Sequence, residues 1–240
     1  MRIAGLQKLT LLDYPGKTAC TLFTPGCNMR CPFCHNASLV LNPGEAATLP
    51  EEEFFAFLKK RQRLLDAVCI SGGEPLLQLG LSEFIKKIKA LDYLVKLDSN
   101  GSFPVELKKL VLSGDIDYVA MDVKNSLARY PETVGLPNFD TRPIKESVAF
   151  LMEARVDYEF RTTVLKNFHG EKELTELAEW LKPAPLFALQ SYKDSGDVLR
   201  YRLNAENPHR EMALHGYSEE EMKTFFEKVQ QIHPNVVLRG

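Results

Sequence analysis

Short apolar runs that end in a turn and lead into a helical stretch recur along this chain, and that alternation governs what it can fold into. Residues 17–24 (KTACTLFT) read as a buried strand ending at Pro25-Gly26, and 66–70 as a short apolar strand stopped by Ser71-Gly72-Gly73. Residues 94–98 form a strand closed by Ser99-Asn100-Gly101, and 118–123, 156–164, 186–190 and 236–238 read as further strands. The clearest helix covers 81–91, with Phe84, Ile85, Ile88 and Leu91 on one face. Others fall at 105–112, 144–155 and 171–181. Two more carry capping-box signatures: Thr48-Leu49-Pro50-Glu51, and Ser218-Glu219-Glu220-Glu221 opening a helix through Gln231.

Strands alternating with helices imply a parallel sheet with helical crossovers. Six or seven such units fit 240 residues, too few for a closed eight-fold barrel of ~250 residues plus loops. The expected fold is α/β, a partial (βα)6 TIM-like barrel with outer helices; a doubly wound open sheet is the second arrangement. No repeat, low-complexity segment or linker interrupts the chain, so one domain over 1–240 is expected. Residues 192–217 are polar and long for a connection, which marks a functional or mobile segment.

Composition narrows the partners. A net charge of −2 argues against a nucleic-acid surface, which is normally basic. No apolar run approaches the ~20 residues that cross a bilayer, and no membrane contact is expected. The N-terminus lacks a signal-peptide core, so a cytoplasmic location is the default. The five cysteines are an odd number, and three lie within eight residues, which disfavours a disulfide framework. Cys20 and Cys69 sit in apolar runs and read as core thiols.

The clustered three are spaced C-x3-C-x2-C: Cys27, Cys31 and Cys34 in CNMRCPFCHN. Thiolates suit zinc or iron–sulfur clusters. A structural zinc site wants four ligands; His35 adjoins Cys34 and is poorly placed to share its metal, and no second cysteine pair follows. Three thiolates in one loop can hold three irons of a 4Fe–4S cluster and leave the fourth open. The spacing therefore favours iron–sulfur over zinc, with an inert thiol loop third.

This segment resembles the cluster loop of radical S-adenosylmethionine (SAM) enzymes, and its wording resembles the activases of glycyl-radical enzymes. The resemblance implies that Cys27, Cys31 and Cys34 bind a 4Fe–4S cluster whose fourth iron is chelated by SAM, and that Phe33 lies by the adenine. Ser71-Gly72-Gly73-Glu74-Pro75, as a bland feature only a tight turn, is similar to the family's GGE motif, which holds the SAM amino group. Glycines there allow a ligand to approach the backbone closely, and Glu74 and Pro75 shape the turn. Asp98-Ser99-Asn100-Gly101 and Asp122-Val123-Lys124, otherwise a turn signal and a solvated charge pair, resemble the activases' D-[ST]-N-G and D-x-K segments. The resemblance implies Asp98 near the SAM amino group and Lys124 opposite its carboxylate. Asp98, the Ser99 carbonyl or hydroxyl, and Asp122 also match a monovalent-cation site of related activases; hard oxygen ligands suit such an ion.

Arg161 matches an arginine that contacts SAM in relatives, with a structural salt bridge as the alternative. Gln190 stands where an activase histidine approaches the adenine and is the candidate replacement. His169, His209, His215 and His233 read as solvated. The run Gly5–Gly16 (GLQKLTLLDYPG) resembles one subgroup, the activating proteins of anaerobic ribonucleoside-triphosphate reductases. The implied activity is reductive cleavage of SAM to methionine and a 5′-deoxyadenosyl radical that generates a glycyl radical on a partner enzyme, with flavodoxin or ferredoxin as electron donor. The alternatives are a radical SAM enzyme acting on a small molecule or RNA, and a non-catalytic metal-binding module.

Overall fold

The computed structural model describes residues 1–194, 198–205 and 213–240. Among them, eight strands form one sheet in strict chain order: β1 (Gly5–Thr10), β2 (Ala19–Thr24), β3 (Ala67–Gly72), β4 (Leu94–Ser99), β5 (Tyr118–Asp122), β6 (Asp157–Val164), β7 (Phe187–Ser191) and β8 (Val236–Arg239). Strands β2 to β8 run parallel, and β1 lies antiparallel to β2. The helices are α1 (Ala37–Leu41), α2 (Glu51–Arg61), α3 (Leu81–Lys89), α4 (Pro104–Leu112), α5 (Tyr130–Thr133), α6 (Arg142–Leu151), α7 (Glu171–Leu181), α8 (Leu199–Ala205) and α9 (Glu219–Ile232).

A doubly wound sheet reverses its strand order part way, at the point where ligands bind. Here each parallel strand is added beside the previous one after a helical crossover, which is the winding of a barrel. The unreversed order excludes the second arrangement. β1 and β8 remain as edges, so the barrel is open, with β2 to β7 as the expected six-unit core.

The two faces of the sheet differ in chemistry. Val68, Ile70, Val95, Leu97, Val119, Met121, Phe160 and Leu189 join the helix residues Phe84, Ile85 and Ile88 in one large core. The alternate positions face the barrel interior. On β2 and β3 these are small: Ala19, Ala67 and Cys69 enclose Tyr14, which plugs the end where those strands begin. On β4 to β6 they are charged: Lys96, Asp98, Asp122, Glu159 and Arg161. Interior polar positions explain why several strands read as only partly apolar.

Local departures have local causes. Strand β1 was not legible, because five of its six residues are only half-buried or exposed and its pairing to β2 holds it in place. Thr48 does not cap α2. Leu49 N–H donates to Ile3 O (2.8 Å), which keeps that segment extended, and Pro50 takes the N-cap position. Helix α2 relies instead on Glu51 to Glu53 in its first turn and Lys59 to Arg61 in its last, complementing the helix dipole. At α9 the capping box forms, with Glu221 N–H donating to Ser218 Oγ and Ser218 N–H to Glu221 Oε2. Helix α6 stops at Leu151 rather than 155, and Ala154 turns the chain with φ 54°. No helix among the described residues is long and apolar enough to cross a membrane.

Phe84 of α3 is 1% exposed and stacks on Phe54 of α2 with ring centroids 5.5 Å apart. Phe84→Ala would open a cavity beneath both helices. We expect a loss of about 3–5 kcal/mol in equilibrium denaturation; a loss below ~1 kcal/mol would mean that the helices do not pack on the sheet as described.

Candidate functional site

The carboxyl ends of β2 to β6 open into one pocket of about 850 Å³, open solvent at its mouth included. After β2 the chain turns at Gly26 (φ 89°), and Cys27, Cys31 and Cys34 all reach the pocket wall as free thiols. The cysteine loop is fixed through its backbone. Arg30 N–H donates to Val134 O (2.9 Å), Cys34 N–H to Cys31 O (3.0 Å), and the Arg30 guanidinium to Cys27 O (2.7 Å) and Met29 O (2.8 Å). From the far side, Leu199 N–H of α8 donates to Cys34 O (3.0 Å) and Arg200 N–H to Pro32 O (2.9 Å). Part of the long polar segment thus packs on the cysteine loop; positions 195–197 and 206–212, which include His209, lie outside the described residues.

The donor set fits a cluster better than a single ion. Among the described residues, no three His, Cys, Asp or Glu side chains converge as ligands of one metal. Burial pushes all three thiols up, Cys31 to about 12, against the nearby Lys124. Such thiols become thiolates when a bound metal supplies the opposing charge.

The turn after β3 is welded to this loop. Gly73 N–H donates to Thr24 O (2.8 Å) and Glu74 N–H to Gly26 O (2.7 Å). A Cβ on Gly73 would stand 1.9 Å from Gly26 O, and one on Gly72 (φ 111°) would stand 2.4 Å from Thr24 N. Both positions therefore require glycine. Asn36, two residues after Cys34, donates from Nδ2 to Gly72 O (2.7 Å) and ties the two loops from above.

Glu74, grouped with the cofactor contacts from sequence, lies off the pocket wall. It is wholly buried, and its carboxylate accepts from Asn100 N–H (2.7 Å), Ser99 Oγ (3.0 Å) and Leu76 N–H (3.2 Å). It holds the ends of β3 and β4 together.

The interior charges end in the pocket. Asp98 pairs with Lys96 and with Arg161 Nη2 (3.5 Å). Asp122 pairs with Arg161 Nε (2.9 Å) and Lys124 Nζ (3.0 Å). Burial opposes charge on both carboxyls, but Arg161 with Lys96 or Lys124 outweighs it and holds both below the usual carboxylate range. Burial likewise opposes charge on Lys124, and Asp122 overcomes it, so the ammonium is raised. The oxygens expected to hold a monovalent cation are engaged by the protein itself: Asp98 and Asp122 by these three cations, and Ser99 Oγ by Glu74. At the pocket wall Lys124 and Arg161 stand with Asp98 and Asp122, and the Lys124 ammonium is the group suited to meet an anionic part of a ligand.

Phe33 lines the pocket, 4% exposed, against Phe168. Asn100 and Arg161 line it too. Gln190 does not; it lies in an adjoining groove with Lys193 and Arg239 that shares only His35 and Thr163 with the pocket. Sequence reasoning missed His35, whose Nε2–H donates to Lys193 O (2.8 Å), and Asn36; adjacency to Cys34 was the available signal. It also misplaced two histidines. His169 is buried, its Nε2–H donates to Lys124 O (2.8 Å), and burial pushes it down to about 4. His233 is wholly buried against Phe187, and burial lowers it as well. His215 is exposed as expected.

The buried Glu74 makes the fold pH-dependent. Burial raises its carboxyl from 4.5 to about 7, opposed by its hydrogen bonds from Asn100, Leu76 and Ser99. The native state therefore holds the proton more tightly than the unfolded chain. The stabilisation is present at low pH and lost as pH rises through about 7, on the order of 3 kcal/mol in total. We expect denaturation midpoints to fall from roughly pH 5 to pH 8 and the slope to flatten in Glu74→Gln; an equal slope in both proteins would contradict this.

Comparison with known proteins gives the family. The model described as the radical SAM superfamily matches residues 21–181. A protein of Methanocaldococcus jannaschii assigned as a glycyl-radical enzyme activating enzyme is 34% identical over 202 residues, 81% of this chain and 82% of that one. The pyruvate formate-lyase-activating enzyme of Listeria monocytogenes is 28% identical over 196 residues, 77% of each chain. Among solved structures, Streptococcus suis SuiB bound to S-adenosylmethionine shares the fold, with a TM-score of 0.68 at 14% identity, over 92% of this chain and 52% of that one. The chain belongs to the radical SAM superfamily, whose cofactors are a 4Fe–4S cluster held by three cysteines and SAM.

Proposed function

We propose that this enzyme is an activase that installs a glycyl radical on a partner enzyme, and that the partner is anaerobic ribonucleoside-triphosphate reductase. The observation that carries the activase reading is the convergence of three free thiols, two obligatory glycines and the paired charges of three strand ends on one pocket open to solvent. The Methanocaldococcus relative supports the activase class. The run Gly5–Gly16 supports the finer choice of partner.

Cys27, Cys31 and Cys34 would hold the cluster, leaving one iron without a protein thiolate. When bound, the cluster and SAM supply one-electron bond cleavage and hydrogen abstraction from a glycine Cα. The chain's residues bind, orient and shield. Gly72 and Gly73 present backbone groups at close range. Lys124 would meet the SAM carboxylate, and Asp98, still paired with Lys96 and Arg161, its ammonium, while Arg161 keeps both aspartates ionised. Phe33 provides an apolar wall for the adenine, with Met29 and Val40 excluding water beside it. Gln190 lies in the adjoining groove, apart from Phe33 and the proposed adenine wall. A flavodoxin or ferredoxin in the cytoplasm would serve as reductant.

Two measurements test this. Anaerobically reconstituted protein with reductant and SAM should yield 5′-deoxyadenosine, and with the reductase it should give the glycyl doublet in electron paramagnetic resonance. A doublet only with another glycyl-radical enzyme would refute the partner. SAM cleavage without a doublet on any glycyl-radical enzyme would refute the activase reading. Compared per reconstituted cluster, Lys124→Ala should weaken SAM binding about tenfold or more, since a buried charge-assisted pair is lost; unchanged affinity would remove Lys124 from the carboxylate.

A further inference from the structure

Beside Cys27, three polar side chains close a ring. Asn100 Nδ2 donates to Asn28 Oδ1 (3.0 Å), Asn28 Nδ2 to Ser102 Oγ (2.9 Å), and Ser102 Oγ to Asn100 Oδ1 (2.5 Å). The direction of this ring is set by one group. Ser102 backbone N–H reaches Asn100 Oδ1 at 3.0 Å, and an N–H can only donate. The atom facing it must be the amide oxygen, so the nitrogen faces the cysteine loop. There Nδ2 lies 3.7 Å from Cys27 Sγ, which also receives Met29 N–H at 3.4 Å.

The amide of Asn100 is thereby fully used. Both oxygen lone pairs are taken by Ser102, and both nitrogen hydrogens are directed to Asn28 and Cys27. Nothing remains for a direct contact with SAM. Glu74 Oε2 accepts the Asn100 backbone N–H at 2.7 Å, and Asn100 is 7% exposed, so the residue is locked at both ends.

We propose that Asn100 is a positioning residue that raises the reduction potential of the cluster through its hydrogen bond to the Cys27 sulfur. The inference rests on Cys27 being a cluster ligand. Hydrogen bonds to cluster sulfurs are one of the protein's levers on potential. Reduction adds negative charge to the cluster and its thiolates, so a donor aimed at a thiolate stabilises the reduced form more than the oxidised one. The ring adds specificity, because Ser102 and Asn28 prevent the amide from flipping its oxygen toward the sulfur, which would act in the opposite sense.

The test is a redox titration of the reconstituted full chain without SAM, followed by electron paramagnetic resonance, with iron and sulfide content determined for each variant. At the wild-type midpoint potential, Asn100→Leu should lower the ratio of reduced to oxidised cluster about tenfold, ~59 mV for one electron. Ser102→Ala, which leaves Asn100 in place but loosens its orientation, should shift the ratio the same way by a smaller factor. Asn28→Ala, which keeps the Ser102 anchor, should shift it less than Asn100→Leu. An unchanged or higher midpoint in Asn100→Leu with a full cluster overturns the proposal. If that variant takes up no iron, an unchanged midpoint in Ser102→Ala overturns it and a fall supports it. Retention of a four-iron cluster by Cys27→Ala would instead overturn the ligand assignment.

Discussion

The close approach of two backbone segments, Gly26 after β2 and Gly73 after β3, is the constraint on which the rest of the site depends. The strands are neighbours in register, with Thr24 opposite Gly72, so their exits begin side by side. Gly73 N–H and Glu74 N–H then bond across to Thr24 O and Gly26 O. At that separation no side chain fits between them. The thiol-bearing loop and the turn that faces it across the pocket thus form one rigid unit, set by main-chain hydrogen bonds. Asn36 closes the same unit from the other side. Sites supported by backbone geometry of this kind keep their ligand groups in place without reorganisation.

Below that unit the barrel interior carries a second constraint. Burying Lys96, Asp98, Asp122 and Arg161 costs desolvation energy that Coulomb attraction offsets only with good geometry. The structure meets this by alternation. Arg161 on β6 bridges Asp98 on β4 and Asp122 on β5, while Lys96 and Lys124 neutralise the outer oxygens. Deeper still, Arg239 on β8 pairs with Glu159, which also accepts from the Tyr118 hydroxyl (3.3 Å). Buried ion pairs of this kind are often no more stabilising than apolar packing, so stability alone does not account for them; what they present at the pocket floor does.

What was legible in the sequence follows from range. The cysteine spacing, the Gly72-Gly73 turn and the strand-end motifs are local patterns, and the alternation of strands with helices made their convergence at the strands' carboxyl ends foreseeable. The turn-shaping role of Glu74 was legible, but its direction away from the pocket and the burial of His169 were not, because side-chain direction there depends on partners far along the chain. Glu74 turns inward to Ser99 and Asn100, twenty-five and twenty-six positions away. His169 reaches Lys124, forty-five positions back. A histidine in an apparent loop looks solvated until such a partner is in view. Strand β1 was hidden for a related reason: an edge strand needs no buried face of its own when a neighbour's backbone supplies its pairing.

The position of Lys124 shows how these levels combine. Its ammonium would be mobile on a surface loop, yet here the surrounding backbone is pinned before the side chain is considered. Tyr130 Oη accepts Lys124 N–H (3.3 Å), and His169 donates to Lys124 O (2.8 Å). The neighbouring Asn125 is buried and donates to Thr133 Oγ1 and Phe168 O. Asp122, on the same strand end, then restrains Nζ. Because burial keeps His169 neutral down to about pH 4, this anchor does not add a competing positive charge at neutral pH. The one ammonium is therefore held by neutral donors and acceptors along its backbone and by a single carboxylate at its tip. Its field is directed into the pocket toward the thiols, where Lys124 opposes the effect of burial on all three. The same charge that would receive an anionic ligand group also favours the thiolate state of the cysteines, so the metal-binding and ligand-binding halves of the site share one electrostatic origin.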